Sequence, residues 1–259
     1  MTAPLRIQIG ELARRSVLRT LRQPAQVVPA LIFPLFLLAV NSSGLAKATK
    51  IPGFPTDSYL DFALAIPFMQ GALFSVMNAG TDLARDVETG FLNRLALTPL
   101  RGTALLSGLL AGAAVLGVIQ GLTYVTVGLV AGANVATGLP GVLVIIAFSV
   151  LLTVGFGSIG LFAALRSGSG EVVQSLFPVF FVFLFLSSMA LPRNLIQTDW
   201  FREIATYNPV SYLIEAVRSL LIIGWDGEAL ALGFSIAVAI GIAGMGAAAA
   251  ALRTRLVRT

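Results

Sequence analysis

Five long stretches of the chain contain no Asp, Glu, Lys or Arg. They cover residues 23–46, 62–81, 102–165, 172–192 and 229–252. Because a helix needs about 20 residues to cross the hydrocarbon core of a bilayer, each stretch is long enough to span a membrane. The third stretch is long enough for two crossings, and the turn-forming sequence between Gly132 and Gly141 divides it. The pattern therefore predicts six transmembrane helices.

Continuous apolar runs of this length favour helices over barrel strands, which show only about ten residues of alternating pattern. We predict an all-α polytopic membrane protein with a single transmembrane domain over residues 1–259. The predicted spans are residues 25–46, 61–81, 104–131, 139–165, 173–191 and 229–252. Because Pro29 and Pro34 interrupt the first run and more than twenty residues precede it, we interpret it as a retained span rather than a signal peptide.

Composition supports a membrane protein and limits its chemistry. Charged residues make up 11% of the chain, whereas a typical soluble domain is about a quarter charged. The absence of Cys and His removes thiolate nucleophiles, the commonest zinc ligands and the commonest general base. We therefore predict no catalytic residue, no bound cofactor and no metal site in this chain.

The placement of basic residues predicts the orientation. If the N-terminus is cytoplasmic, 12 of the 17 Lys and Arg residues fall on the cytoplasmic side of the six spans. Since cytoplasmic loops carry an excess of Lys and Arg, both termini are predicted to lie in the cytoplasm. The net charge of +5 is then explained by topology, and no nucleic-acid partner is expected. The predicted location is the cell membrane.

Residues 1–24 are predicted to form a cytoplasmic amphipathic helix. Arg15, Arg19 and Arg22 share one helical face, which would place their guanidinium groups among anionic lipids of the inner leaflet. Two interpretations are open. The helix is either a simple topology anchor or a platform that contacts a cytoplasmic partner.

The predicted cytoplasmic loop, residues 82–103, carries an apolar cluster. Phe91, Leu92 and Leu95 lie within one helical turn of each other, and Pro99 would stop any helix that contains them. Apolar side chains on a loop that faces water need a cover. Either the bilayer surface or a partner protein could provide it.

The predicted outer segment, residues 192–228, is too apolar for a solvated loop and too interrupted for a span. We expect re-entrant or interfacial helices that break at Asn208 and Pro209, with Glu215 and Arg218 spaced for a local ion pair. A plain aromatic belt at the membrane interface is the alternative, formed by Trp200, Tyr207 and Tyr212.

Glycine pairs at four-residue spacing recur in the third predicted span. The pairs are Gly108 and Gly112, Gly117 and Gly121, and Gly128 and Gly132. Small residues at this spacing let helix backbones approach closely. The close contact could lie within one subunit or between two subunits.

Several transport mechanisms can be weighed from the residues alone. A proton-coupled carrier is disfavoured, because none of the charge-free runs holds an ionisable acid or base. Sodium could still be held by carbonyl and hydroxyl oxygens. No charged ring or filter-like motif indicates a channel. The chain also lacks a phosphate-binding Gly-x4-Gly-Lys-Ser/Thr loop, so uphill transport would need energy from another chain.

The order of these parts resembles the permease subunit of type-2 ABC exporters, particularly the daunorubicin-resistance class. Two motifs carry the resemblance. They are Glu88-Thr-Gly90-Phe91-Leu92-x2-Leu95-x3-Pro99 in the loop and Asn208-Pro209-x2-Tyr212-x2-Glu215-Ala216-x-Arg218 in the outer segment. The resemblance covers nearly the whole chain.

The resemblance implies two functional regions. One is a coupling helix that docks on an ATPase subunit, with the residues Arg85, Asp86, Glu88, Gly90, Phe91, Leu92, Arg94, Leu95 and Pro99. The other is an outer gate of re-entrant helices, with the residues Pro192, Asn208, Pro209, Tyr212, Glu215 and Arg218. ATP and Mg²⁺ would be bound by the partner ATPase and not by this chain.

The resemblance also implies partners and a cargo. A pair of ATPase subunits and a second permease copy or sibling would complete the transporter. The expected substrate is hydrophobic or amphipathic, such as a drug or a lipid-like molecule. Alternatives are a glycan or glycolipid exporter of the same family and a sodium-coupled secondary carrier. Polar residues of the spans could line the path or could simply join helices; they are Gln120, Tyr124, Gln174, Ser187 and Ser188.

Overall fold

A computed structural model describes residues 4–96 and 102–258, and within these ranges the chain forms α-helices and short 3₁₀ or π turns, with no strand. The helices are α1 (Leu5–Leu21), α2 (Pro24–Gly44), α3 (Tyr59–Ala63), α4 (Ile66–Glu88), α5 (Phe91–Ala96), α6 (Gly102–Val130), α7 (Gly138–Ser167), α8 (Gly170–Phe185), α9 (Asp199–Tyr207), α10 (Pro209–Arg218) and α11 (Gly227–Arg258). The predicted all-α class is confirmed.

Five helical segments are long and apolar enough to cross a membrane. They are α2, α3 together with α4, α6, α7 and α11. In α2 and in α11, only 17% of the most apolar 18-residue stretch is buried within the chain. Most of the apolar surface of these two helices must therefore face lipid or another subunit. The chain is therefore a multi-pass membrane protein.

The fifth predicted span, residues 173–191, corresponds to α8, which is shorter than expected. Its 16 residues reach roughly 24 Å, compared with about 30 Å for the hydrocarbon core. Helix α8 nevertheless connects the region of Glu88 to the region of Asn208. The backbone N–H of Gly170 lies 3.4 Å from Glu88 Oε1, whereas Phe183 and Leu186 contact Asn208 in the outer segment. The count of six spans and the orientation of the termini stay predictions.

Close backbone contacts hold the bundle together around α7, which packs against α4, α6 and α11. A Cβ atom on Gly160 would lie 2.1 Å from the carbonyl oxygen of Val76, so only glycine permits this approach of α4 to α7. Two of the three predicted glycine pairs work the same way, whereas Gly132 lies beyond the end of α6 and a Cβ atom there would meet nothing within 4 Å. Gly108 contacts α1, and Gly117 contacts α7, which favours packing within one subunit.

The bundle has two ends with separate apolar cores. The end that contains α1 is called the N-terminal end, and it also contains the last turns of α4 and α11, α5, the start of α6 and the end of α7. The other is called the opposite end, and it contains α3, the end of α6, the start of α7 and residues 186–227. The two candidate sites lie at these two ends.

Within the predicted loop over residues 82–103, the described residues are largely helical and comprise the last turns of α4, helix α5 and the start of α6. Helix α4 continues to Glu88, seven residues past the predicted end of the span. Arginines of α1 neutralise the acidic side chains of this turn, as described below, so the helix can extend beyond the apolar run. A turn at Gly90, whose φ is +68°, then leads into α5. Pro99 lies outside the described residues.

Candidate functional site

Two arginines of α1 bind two aspartates of α4 at the N-terminal end. Arg15 makes a bidentate contact with Asp86, at 2.9 Å from Nη1 to Oδ2 and 2.8 Å from Nη2 to Oδ1. Arg19 joins both acids, with Nη1 at 3.0 Å from Asp86 Oδ1 and Nε at 3.0 Å from Asp82 Oδ1. Both pairs are four residues apart, so each lies on one helical face. The four side chains form an ion network between α1 and α4.

The network also reaches α5. The guanidinium carbon of Arg15 lies 4.0 Å from the centroid of the Phe91 ring, a cation–π arrangement. The hydrogen bond to Asp86 raises the pKa of Arg15, and this outweighs the opposing effect of partial burial. Arg15 and Arg19 therefore point to α4, not to lipid headgroups as the sequence suggested.

The predicted coupling residues divide into anchors and exposed groups. Leu92 is 1% exposed and packs in the apolar core of the N-terminal end, so it holds α5 in place and cannot face a partner. Asp86 is buried in the ion network. Phe91 and Leu95 are half-buried. The exposed side chains of this surface are Arg85, Glu88 and Arg94.

At the opposite end, a buried arginine joins three segments of the chain. Arg218 is 6% exposed. Its Nε donates to the carbonyl of Phe62 at 3.2 Å, its Nη1 to that of Ser188 at 3.1 Å and its Nη2 to that of Met189 at 3.2 Å. The guanidinium carbon also lies 3.5 Å from the centroid of the Phe62 ring. Arg218 therefore ties α10 to α3 and to the chain after α8.

The expected ion pair between Glu215 and Arg218 is not formed. Glu215 instead pairs with Arg193 and accepts a hydrogen bond of 2.9 Å from Ser188 Oγ. Arg218 instead donates to the carbonyl of Phe62 in α3 and to those of Ser188 and Met189, which follow α8. Burial lowers the pKa of Arg218 to about 9, so the side chain keeps its charge at neutral pH.

Arg193 is a member of this region that the sequence patterns did not identify. Its guanidinium pairs with Glu215 and lies 4.5 Å from the centroid of the Tyr212 ring. Burial lowers the pKa of Arg193, but the charge of Glu215 and the hydrogen bonds to Tyr212 and Glu215 together outweigh this, and the net pKa is raised. The only feature of the sequence that could have identified Arg193 was its position directly after Pro192. Pro192 itself precedes a short 3₁₀ turn, Arg193–Leu195.

Asn208 and Pro209 explain the break between α9 and α10. The Oδ1 atom of Asn208 accepts a hydrogen bond of 2.9 Å from the backbone N–H of Val210, which caps α10. Its Nδ2 atom donates to the carbonyls of Phe183 at 2.6 Å and Leu186 at 3.0 Å. Pro209 occupies the first helical position, where no N–H is needed. One side chain thus joins the end of α8 to the start of α10.

The polar residues proposed for a transport path mostly join helices. Gln120 Nε2 donates to the carbonyl of Gly71 at 3.3 Å, and the Tyr124 hydroxyl donates to that of Ala30. Ser187 bonds within its own turn, and Ser188 bonds Glu215. Gln174 differs, because it lines a polar cavity of about 260 Å³ at the N-terminal end of α8. These contacts favour the helix-joining alternative for three of the five residues, Gln120, Tyr124 and Ser188.

The described residues contain no group of three or more His, Cys, Asp or Glu side chains that could hold a metal ion. An ion network lies at the N-terminal end, and Arg218 with its three carbonyl partners, called the arginine latch, lies at the opposite end. A bundle of apolar helices joins the two. This arrangement defines a polytopic membrane protein with an ion network at one end of its helical bundle and a buried arginine at the other.

Comparison with known proteins identifies the family. The chain belongs to the ABC-2 type transporter family, whose profile matches residues 7–222 and so ends just before α11. It is a membrane permease subunit of an ABC transporter, and the family implies an ATPase partner.

Similar proteins include two algal permeases and one mycobacterial permease. The putative transport permease ycf38 of Pyropia yezoensis is 31% identical over 82% of this chain and 73% of its own length. The ycf38 protein of Porphyra purpurea is 29% identical over 82% of this chain and 72% of its own length. The probable doxorubicin resistance ABC transporter permease DrrC of Mycobacterium tuberculosis is 26% identical over 81% of this chain and 75% of its own length.

Proposed function

We propose that this chain is the permease of an ATP-driven exporter that moves a hydrophobic or amphipathic substrate, a drug or a lipid-like molecule, out of the cytoplasm or the inner leaflet. ATP hydrolysis takes place in a separate ATPase subunit pair. The transporter contains a second copy of this permease or a sibling. Both termini lie in the cytoplasm, and α8 provides the fifth of six crossings.

The observation that carries the proposal is the ion network at the N-terminal end. Asp86 is 5% exposed and accepts charge-assisted bonds from two arginines, which makes α1 and the last turns of α4 move as one unit. The cation–π contact to Phe91 adds α5 to this unit. A force applied to α5 by an ATPase would therefore reach α4, which continues into the bundle.

The exposed charges beside Gly90 form the contact surface for the ATPase. Arg85, Glu88 and Arg94 project from the two helices that flank the turn. Half-buried Phe91 and Leu95 supply apolar contact between them. Mixed charge around a small apolar centre is typical of a protein interface, where polar groups form the rim.

Copurification with the ATPase tests this surface. The tagged permease is expressed together with its ABC ATPase subunit, and the complex is isolated in detergent. We expect Arg94→Glu and Leu95→Asp to lose the ATPase. Arg253→Glu is the matched control, because Arg253 is also exposed at the N-terminal end but lies on α11, and it should retain the ATPase. Normal copurification of both α5 variants would contradict the proposed surface.

Transport in inverted vesicles separates the exporter from its rivals. An exporter should accumulate a lipophilic dye in the vesicle lumen only with ATP and the ATPase subunit. A sodium-coupled carrier should move substrate along a sodium gradient without ATP. A glycan or glycolipid exporter should leave dye transport at background while its ATPase remains coupled to the permease.

A further inference from the structure

An open apolar pocket lies at the opposite end, between the end of α8 and helix α9. Its volume is about 580 Å³, within the range of about 300–1,000 Å³ found for sites of small organic ligands. Phe183, Leu186 and Ile204 supply apolar walls, and Trp200 and Tyr207 supply aromatic rings. Trp200 is 61% exposed and Tyr207 is 80% exposed, so both rings are accessible to a ligand.

The pocket carries one charged side chain, that of Glu203. Trp200, Glu203, Ile204 and Tyr207 follow each other at three- and four-residue spacing, so they share one face of α9. No Lys or Arg lines the pocket. The neighbouring Arg202 is engaged elsewhere, with the carboxylate of Asp199 and the carbonyl of Ile196.

The start of α10 offers no backbone donor to an anion in this pocket. Helix α10 begins here, but Pro209 has no N–H group. The N–H of Val210 is bonded to Asn208 Oδ1, and the N–H of Ser211 is bonded to the carbonyl of Asn208. The pocket therefore combines a carboxylate, exposed aromatic rings and apolar walls, with no matching positive group.

We propose that this pocket binds an organic cation with an apolar body, such as a lipophilic ammonium or phosphonium, as cargo on its way out of the permease. The assignment rests on the proposed export function. The carboxylate of Glu203 attracts the positive charge, and the aromatic faces of Trp200 and Tyr207 stabilise it by cation–π interaction. The apolar walls cover the rest of the molecule.

A pair of probes with the same shape and opposite charge tests the proposal. Tetraphenylphosphonium is a lipophilic cation, and tetraphenylborate is an anion of nearly the same size. The chain has two tryptophans, so Trp225→Phe leaves Trp200 as the only indole reporter. We expect tetraphenylphosphonium to change the emission of Trp200 in a saturable way, and tetraphenylborate to give no saturable change. Equal responses to both probes would overturn the proposal.

Variants of outer carboxylates identify the residue responsible. Glu203→Gln should weaken tetraphenylphosphonium binding by about threefold to fivefold, the effect expected for an exposed charge pair. Glu228→Gln is the matched control, because Glu228 is exposed at the same end but does not line the pocket, and it should leave the affinity unchanged. An unchanged affinity in Glu203→Gln, with a normal unfolding temperature, would overturn the assignment.

The lipid composition distinguishes cargo from a choline headgroup of the bilayer. In nanodiscs of phosphatidylglycerol and in nanodiscs of phosphatidylcholine, a cargo site should bind tetraphenylphosphonium with similar affinity once the surface charge is screened by salt. Loss of binding only in phosphatidylcholine would show that headgroups fill the pocket, and would overturn the cargo assignment. Binding is measured without the ATPase, so its failure is separate from a failure of ATP-driven transport.

Discussion

Replacement of Arg218 by Met tests the latch at the opposite end. The guanidinium is 6% exposed and donates to the carbonyls of Phe62, Ser188 and Met189 at 3.1–3.2 Å. A methionine keeps the unbranched stem but removes all three donors. The three carbonyls then lose their charged partner.

The size of the effect follows from these contacts. A hydrogen bond to a charged group contributes about 1.5–3 kcal/mol, and a buried carbonyl left without a donor costs about 1–3 kcal/mol, so three such losses amount to several kcal/mol. Desolvation of the native guanidinium offsets part of the gain, so we expect Arg218→Met to lower the free energy of unfolding by about 3–5 kcal/mol. In a chain of this length, that corresponds to a fall of about 6–20 °C in the unfolding temperature.

Thermal unfolding of the purified permease in detergent measures the change. Arg202→Met is the matched control, because the Arg202 side chain is 47% exposed and pairs with an exposed Asp199, and such a pair contributes about 1 kcal/mol or less. Arg218→Lys should fall between the two, since an ammonium group cannot reach three carbonyls in the plane of a guanidinium. A fall of less than about 2 °C in Arg218→Met would refute the latch.

Three further substitutions test the contacts that hold the bundle. Asp86→Asn should lower the unfolding temperature and reduce ATP-driven transport, because it leaves two arginines facing each other, and a variant with wild-type values for both would contradict the ion network. Gly160→Ala should destabilise the permease by at least about 2 kcal/mol. Gly246→Ala is its control and should be neutral or slightly stabilising, because a Cβ atom at Gly246 would meet nothing within 4 Å. Equal unfolding temperatures of the two variants would disprove the close contact at Gly160. Asn208→Ala should cost about 1–2 kcal/mol through loss of the helix cap, measured by the same thermal assay, and an unchanged unfolding temperature would argue against that role.

The five long spans could be predicted because each depends on a local property, the absence of charge over about 20 residues. The limits of the helices were less predictable. Helix α4 extends past the apolar run to Glu88 because Arg15 and Arg19 neutralise Asp82 and Asp86. Arg15 and Asp86 are 71 residues apart in sequence, and no local pattern indicates that they meet.

The outer segment shows how tertiary contacts change a local expectation. The i, i+3 spacing of Glu215 and Arg218 predicts an ion pair on the surface of a helix. In the structure, α3 and the chain just after α8 bring three carbonyls to Arg218, and Glu215 binds Arg193 instead. The motif itself was recognisable, but the partner of each side chain depended on chain segments far away in sequence.

The segment from α3 to α4 connects the two candidate sites. At one end Asp86 of α4 binds the arginines of α1, and at the other the carbonyl of Phe62 in α3 accepts from Arg218. Helix α4 has 23 residues and thus spans roughly 34 Å, about the thickness of the bilayer core. Its close contact with α7 at Gly80 and Gly160 limits independent bending. A displacement of the ion network would therefore move α4 and, through α3, the carbonyl that Arg218 binds. This coupling requires no chain of side-chain contacts between the two sites.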